Sequence, residues 1–141
     1  MAVFLGVDFG LKRVGLALSD YQETFAVPLT IHQYRSKEYL IDYLHNLIDS
    51  RNIKKLIFGL PLNSDGTEGK KAKETIRYVD DLSHYISEPI VLWDERYSTQ
   101  EAETRLSQIV QTKKKMKKHL DSIAAQIILQ SYLDHHSNGF N

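Results

Sequence analysis

The stretch Val3-Phe4-Leu5-Gly6-Val7-Asp8-Phe9-Gly10 decides how the rest of the chain is read. Ala2 to Val7 is an uncharged apolar run with the composition of a buried strand, and it ends at a carboxylate. A carboxylate at that place is costly to bury alone, so it is paired or it holds something such as a metal ion. Gly10 allows the chain to turn. After Leu11-Lys12-Arg13 a second apolar run, Val14-Gly15-Leu16-Ala17-Leu18, closes a β-hairpin. Phe25 to Ile31 is a third strand, and Pro28 inside it marks an edge position or a break.

Downstream the period changes. Tyr39, Leu40, Tyr43, Leu44, Leu47 and Ile48 recur at helical spacing after Ser36, a candidate cap, with Asn52 as the stop. Leu56-Ile57-Phe58-Gly59 is a strand that a right-handed crossover brings in parallel. Leu60 to Gly69 is a polar loop, read as a connector or as a phosphate cradle. A second helix is expected from Lys70 to Ile86, ended by Glu88-Pro89, then a buried strand Ile90 to Trp93 leading into Asp94-Glu95-Arg96. Ser98-Thr99-Gln100-Glu101 matches a capping box and predicts a third helix. A last apolar stripe runs from His119 to Asp134. The pattern gives an α/β fold: a mixed five-stranded sheet, its first three strands antiparallel, flanked by helices. His135 to Asn141 has the look of a loose tail, and one domain is set at 1–136 with 137–141 as the tail.

Composition bounds the function. The 141 residues include no cysteine, which excludes disulfide scaffolds and cysteine-ligated zinc. No signal core or apolar span is visible, so a cytoplasmic protein away from membranes is expected. The 18 basic and 18 acidic side chains cancel. Five of the basic ones, Lys113, Lys114, Lys115, Lys117 and Lys118, lie within six positions, leaving 13 against 18 elsewhere. Such a run is either a solvated loop or a contact for a phosphate backbone. Lys12 and Arg13, beside Asp8, have the same two readings.

Asp8 and the Asp94-Glu95 pair end strands that share one edge of the sheet, where ligands of open α/β sheets bind. Asp121 lies in the first turn of the last helix and joins them if that helix crosses the edge. Each alone also reads as a turn or helix-end residue, and Asp94-Glu95-Arg96 as a local ion pair. Together, three carboxylates repel unless cations intervene. Mg²⁺ or Mn²⁺ suits such oxygen donors, and two ions about 4 Å apart stabilise both oxygens of a phosphodiester cleavage. His135 and His136 lack the spacing of metal ligands.

Val7-Asp8-Phe9-Gly10-Leu11-Lys12-Arg13-Val14-Gly15 resembles the first motif of the YqgF/RuvX family. Gly59-Leu60-Pro61-Leu62-Asn63 with Asp65 to Gly69, Asp94 to Thr99 with Glu101-Ala102, and Asp121 to Ala125 with Ile128 to Leu133 are similar to its later motifs, in order. The resemblance implies a ribonuclease H-like fold and a nuclease that processes the 5′ end of precursor 16S rRNA, or a Holliday-junction resolvase. It implies metal ligands at Asp8, Asp121 and the middle motif, with Glu95 favoured over Asp94. A common form of the first motif has Pro or a small residue where Phe9 stands. Structured RNA, pre-ribosomal particles or branched DNA are the partners implied, for a monomer or homodimer. Two other readings remain open at this point: a non-catalytic RNA-binding assembly factor, and an ATP-binding module of the actin-like kind, which would need a second domain.

Overall fold

The computed structural model describes residues 2–97 and 120–136; the side chains of Leu120 and Asp121 are outside that description. The expected third helix, the lysine run and the 137–141 tail all lie outside the described residues. Five strands form one sheet in the order β3-β2-β1-β4-β5. They are β1 (Val3–Asp8), β2 (Arg13–Ser19), β3 (Ala26–Gln33), β4 (Ile53–Leu60) and β5 (Ile90–Asp94). β1, β2 and β3 pair antiparallel; β4 lies parallel to β1 and β5 parallel to β4. The strand with Pro28 is an edge, as a residue without an N–H donor requires.

Helix α1 (Lys37–Arg51) begins where Ser36 accepts a hydrogen bond from the Tyr39 N–H and ends at Asn52 in the left-handed conformation. Helix α2 (Lys70–Leu82) is shorter than the expected span to Ile86. The Ser83 hydroxyl donates to the Asp80 carbonyl at 2.6 Å, and His84 and Tyr85 close tighter three-residue turns onto Asp81 and Leu82. Ile86 is buried nonetheless, from that turn. Helix α3 (Leu120–His136) continues through both histidines, so His135 and His136 are its last turn and not a tail. Their rings meet the Trp93 ring edge-on at 5.1 and 5.4 Å, and His136 stacks on Tyr132. No helix among the described residues is long and apolar enough to cross a membrane.

The sheet separates two cores. Leu5, Val7, Leu16, Leu56 and Phe58 face α1 and α2, with Leu40, Leu44, Val79 and Leu82 against them. Phe4, Ala17 and Ile57 face α3, with Ala125, Ile128, Leu129 and Leu133 against them. Side chains alternate along each strand. In β1 this puts Phe4, Gly6 and Asp8 on the α3 side, and Leu5, Val7 and Phe9 on the α2 side. A Cβ at Gly6 would lie 2.7 Å from Leu129 Cβ and 2.9 Å from the Ala125 carbonyl oxygen. The missing side chain is what lets α3 lie this close to the central strand. Gln126 and Gln130 hold the helix in register by hydrogen bonds to both backbone groups of Ala26 at 2.9 Å.

Candidate active site

The site grows from the carboxyl ends of β1 and β5. β1, β4 and β5 are parallel, so Asp8, Leu60 and Asp94 finish at the same rim. Along β5, Trp93 faces α3 and donates its indole N–H to Ser131 Oγ at 3.0 Å. Asp94 therefore turns to the other side, and Glu95, opening a single 3₁₀ turn (Glu95–Tyr97), returns to the side of Asp8.

Asp94 and Glu95 have different partners. Asp94 receives the Arg96 guanidinium through Nε and Nη2, the latter at 2.7 Å, and also the Arg96 backbone N–H at 2.9 Å. The paired arginine holds the Asp94 carboxyl below its ordinary range. Glu95 has the opposite environment. Burial, then the neighbouring Asp8 charge, push its carboxyl up to about 7, with Lys71 working the other way. Glu95 Oε2 lies against the bare backbone of Gly59: a Cβ there would be 2.9 Å from it and 2.5 Å from Ile128 Cδ1. Gly59 thus makes the seat for Glu95 at the end of β4.

α3 runs antiparallel to β1, with Tyr132 beside Phe4 and Ala125 beside Gly6. One turn before Ala125, about 6 Å along the helix, comes Asp121; two residues beyond Gly6, about 6.6 Å along the strand, comes Asp8. The first turn of α3 is thus level with the end of β1. The Asp121 side chain is outside the described residues, and among those described no group of three or more metal-binding side chains stands together. Asp8 and Glu95 are brought to one place; Asp94 is committed to Arg96.

On the α2 side of the rim, the hairpin turn after Asp8 is tight. A Cβ at Gly10 would meet the Arg13 carbonyl oxygen at 2.7 Å, and the Lys12 carbonyl accepts the Tyr34 N–H at 2.9 Å. This turn and α2 enclose a cavity of about 310 Å³ lined by Lys12, Arg13, Lys71, Glu74 and Thr75. Lys71 escapes a reading of the sequence, because only the placement of α2 brings it near Glu95; a lysine in the first turn of a helix carries no signal of its own.

The Leu60–Gly69 loop is internally bonded. The Thr67 N–H and hydroxyl both donate to Asp65 Oδ1, and Asn63 donates its backbone N–H to the Thr67 carbonyl and its side-chain amide to Thr67 Oγ1. Gly66 takes a φ of +88°, and a Cβ on it would be 3.1 Å from Arg96 Nη1. Arg96 thus sits between Asp94 and this loop.

A family model described as "RuvX: Holliday junction resolvase" matches residues 2–135. The chain belongs to the RuvX family. It is 36% identical over 136 residues to a Chloroflexus aggregans protein named "Putative pre-16S rRNA nuclease", covering 96% of each chain. A Sulfurihydrogenibium relative of the same name is 40% identical, over 95% of this chain and 91% of its own. Among solved structures, the RuvX fold here matches Thermus thermophilus RuvC bound to a Holliday junction with a TM-score of 0.60 at 11% identity, covering 98% of this chain and 97% of that one. Fowlpox virus resolvase with junction DNA gives 0.55 at 14%, over 95% and 98%. These likenesses give the fold, which is ribonuclease H-like.

Proposed function

We propose that this chain is a nuclease that hydrolyses phosphodiester bonds at the 5′ end of precursor 16S rRNA, as one domain over residues 1–136. The observation that carries the reading is the seating of Glu95 beside Asp8 at the shared rim, where burial first and the Asp8 charge second push the Glu95 carboxyl up to about 7. Two carboxylates so placed have an excess of negative charge and an all-oxygen donor set, which fits a hard divalent cation. Asp8, Glu95 and Asp121 would hold Mg²⁺ or Mn²⁺, and Asp94 is left to Arg96. Bound there, a pair of such ions supplies Lewis acidity at the scissile phosphate.

The chain's own groups do the rest. Lys12, Arg13 and Lys71 attract the phosphates flanking the cut. The run Lys113, Lys114, Lys115, Lys117 and Lys118 adds the long-range grip that a neutral chain otherwise lacks. Arg96 locks the turn that aims Glu95. The names of the relatives support precursor 16S rRNA as substrate; pre-ribosomal particles as the setting and the cytoplasm as the compartment belong to the same proposal. The test is cleavage of precursor rRNA with Mg²⁺ or Mn²⁺ by wild type and by Asp8→Asn. Loss of cleavage in the variant is expected; equal rates would overturn the assignment. The likeness to junction-bound resolvases favours branched DNA as a second reading. Side-by-side turnover of a four-way DNA junction and an RNA precursor decides between them. RNA binding that needs neither metal nor Asp8, without cleavage, would mark an assembly factor.

A further inference from the structure

The residue that distinguishes the first motif of this chain, Phe9, belongs to a second cavity on the α2 side of the sheet, on the opposite side from Asp8 and Glu95. Phe9 stacks on Tyr78 of α2, with ring centroids 4.0 Å apart and planes 22° from parallel, and meets Tyr34 edge-on at 5.8 Å. Tyr78 donates its hydroxyl to Tyr34 at 3.2 Å, so the cluster is fixed from both ends. Beyond it opens a cavity of about 610 Å³ lined by Phe9, Leu11, Arg77, Tyr78 and His84 together with the acids Glu74, Asp80 and Asp81. Phe9, Leu11 and Glu74 also line the cationic cavity, so the two are continuous along the hairpin turn.

The chemistry of this continuous groove is graded. One end, next to Asp8 in the chain, has Lys12, Arg13 and Lys71. The other has two stacked aromatic rings, the Leu11 side chain at 68% exposure, Arg77, which makes no ion pair among the described residues, and at its far side Asp80 and Asp81, the latter neutralised by Lys37 at 3.0 Å. A cation-lined end joined to an aromatic end matches a nucleotide with its base turned out of the stack: phosphate at one end, base at the other. Aromatic faces and arginine planes are the groups on which unstacked RNA bases rest. A continuous duplex, with every base stacked inside, presents nothing to fill the aromatic end.

We infer that the Phe9–Tyr78 cavity receives one unstacked base of the RNA strand, flanking the phosphate that is cut, and so selects substrates with an unpaired nucleotide there. This deepens the nuclease reading and rests on it for the position of the cut. Phe9 and Arg77 are then specificity residues; the bond-breaking groups lie across the rim.

The test replaces single nucleotides near the cleavage position of an RNA substrate with abasic ones. At one flanking position the wild type should cleave the intact strand about tenfold faster than the abasic strand, the scale of one base–aromatic stack. Phe9→Ala should bring that ratio close to one, and so should Arg77→Ala, an exposed position whose variant is not expected to disturb folding. Ratios within twofold at every position in the wild type would overturn the inference. A second measurement stands apart from cleavage: photocrosslinking of 5-iodouridine RNA to the Asp8→Asn protein, mapped by mass spectrometry. Crosslinks at Phe9, Leu11 or Tyr78 are expected, and crosslinks confined elsewhere would overturn the inference. If wild type cleaves no substrate at all, the nuclease reading fails, and the crosslink still decides the base pocket.

Discussion

Glu95 is where the local chemistry conflicts most with stability. A half-buried acid beside another carboxylate is poorly placed as an anion. In the folded chain its carboxyl releases its proton near 7, whereas in the unfolded chain it does so near 4.5. Between those values the folded chain binds more protons than the unfolded one. Stability therefore falls as pH climbs from about 4.5 through 7, and the loss is complete above that range. Partial exposure screens the effect, leaving about 1–2 kcal/mol. With divalent ions chelated, Glu95→Gln should stabilise the chain by that amount at pH 8 and by almost nothing at pH 4. Urea melts at the two pH values measure the difference. An equal effect at both would mean the acid is not held protonated by its surroundings. The same variant should lose cleavage, the trade expected where function keeps an unfavourable charge in place. Asp94, one residue away, has its anion paired with Arg96 and should show no such gain. Sequence alone does not separate these neighbours, since both are acids at a strand end. The alternation of β5 and the Arg96 contact do, and both are properties of the folded chain.

At the scale of elements, the site depends on two glycines that let α3 approach the sheet. Gly6 and Gly59 read in the sequence as ordinary strand residues, and nothing in their spacing shows that a helix sixty or more positions later lies against them. The strands, the caps at Ser36 and Asn52, and the parallel entry of β4 were legible because they follow from local composition and period. The helix contacts were not, because they depend on which residues of α3 meet the sheet. The two positions should respond differently to alanine. At Gly6 the new methyl meets the Ala125 carbonyl and Leu129 Cβ, neither of which can rotate away, so Gly6→Ala should cost about 1–3 kcal/mol of stability. At Gly59 it meets the tip of Ile128 and the Glu95 carboxylate, both ends of flexible side chains. Gly59→Ala should then cost less stability and shift Glu95 out of its seat, lowering kcat at least tenfold. Thermal unfolding together with single-turnover cleavage separates the two outcomes. Equal losses of stability in both variants would contradict this division.

Over the whole molecule, charge is divided between carboxylates at one rim of the sheet, with Lys12, Arg13 and Lys71 beside it, and a run of lysines in the sequence. The chain is neutral overall, with five of its 18 basic residues in the run from Lys113 to Lys118. A neutral protein gains little from long-range attraction to a polyanion unless its positive charge is grouped. The rim and the run are then expected to act on different quantities. Replacing the five lysines by alanine should weaken RNA binding and flatten its salt dependence, by up to about 0.7 in log–log slope for each phosphate no longer neutralised. The cleavage rate of saturating substrate should change little, since the carboxylates are untouched. Asp8→Asn should do the reverse, leaving the salt slope in place while cleavage is lost. Divalent ions provide an independent check, because a ligand that binds only the folded chain stabilises it by mass action. At a hundred times its dissociation constant that amounts to about 2.7 kcal/mol. Mn²⁺ should therefore raise the Tm of wild type and of the five-lysine variant alike, and raise that of Asp8→Asn much less. A Tm gain from Mn²⁺ that survived Asp8→Asn intact would place the ion away from the rim, and the division of labour between carboxylates and lysines would fall with it.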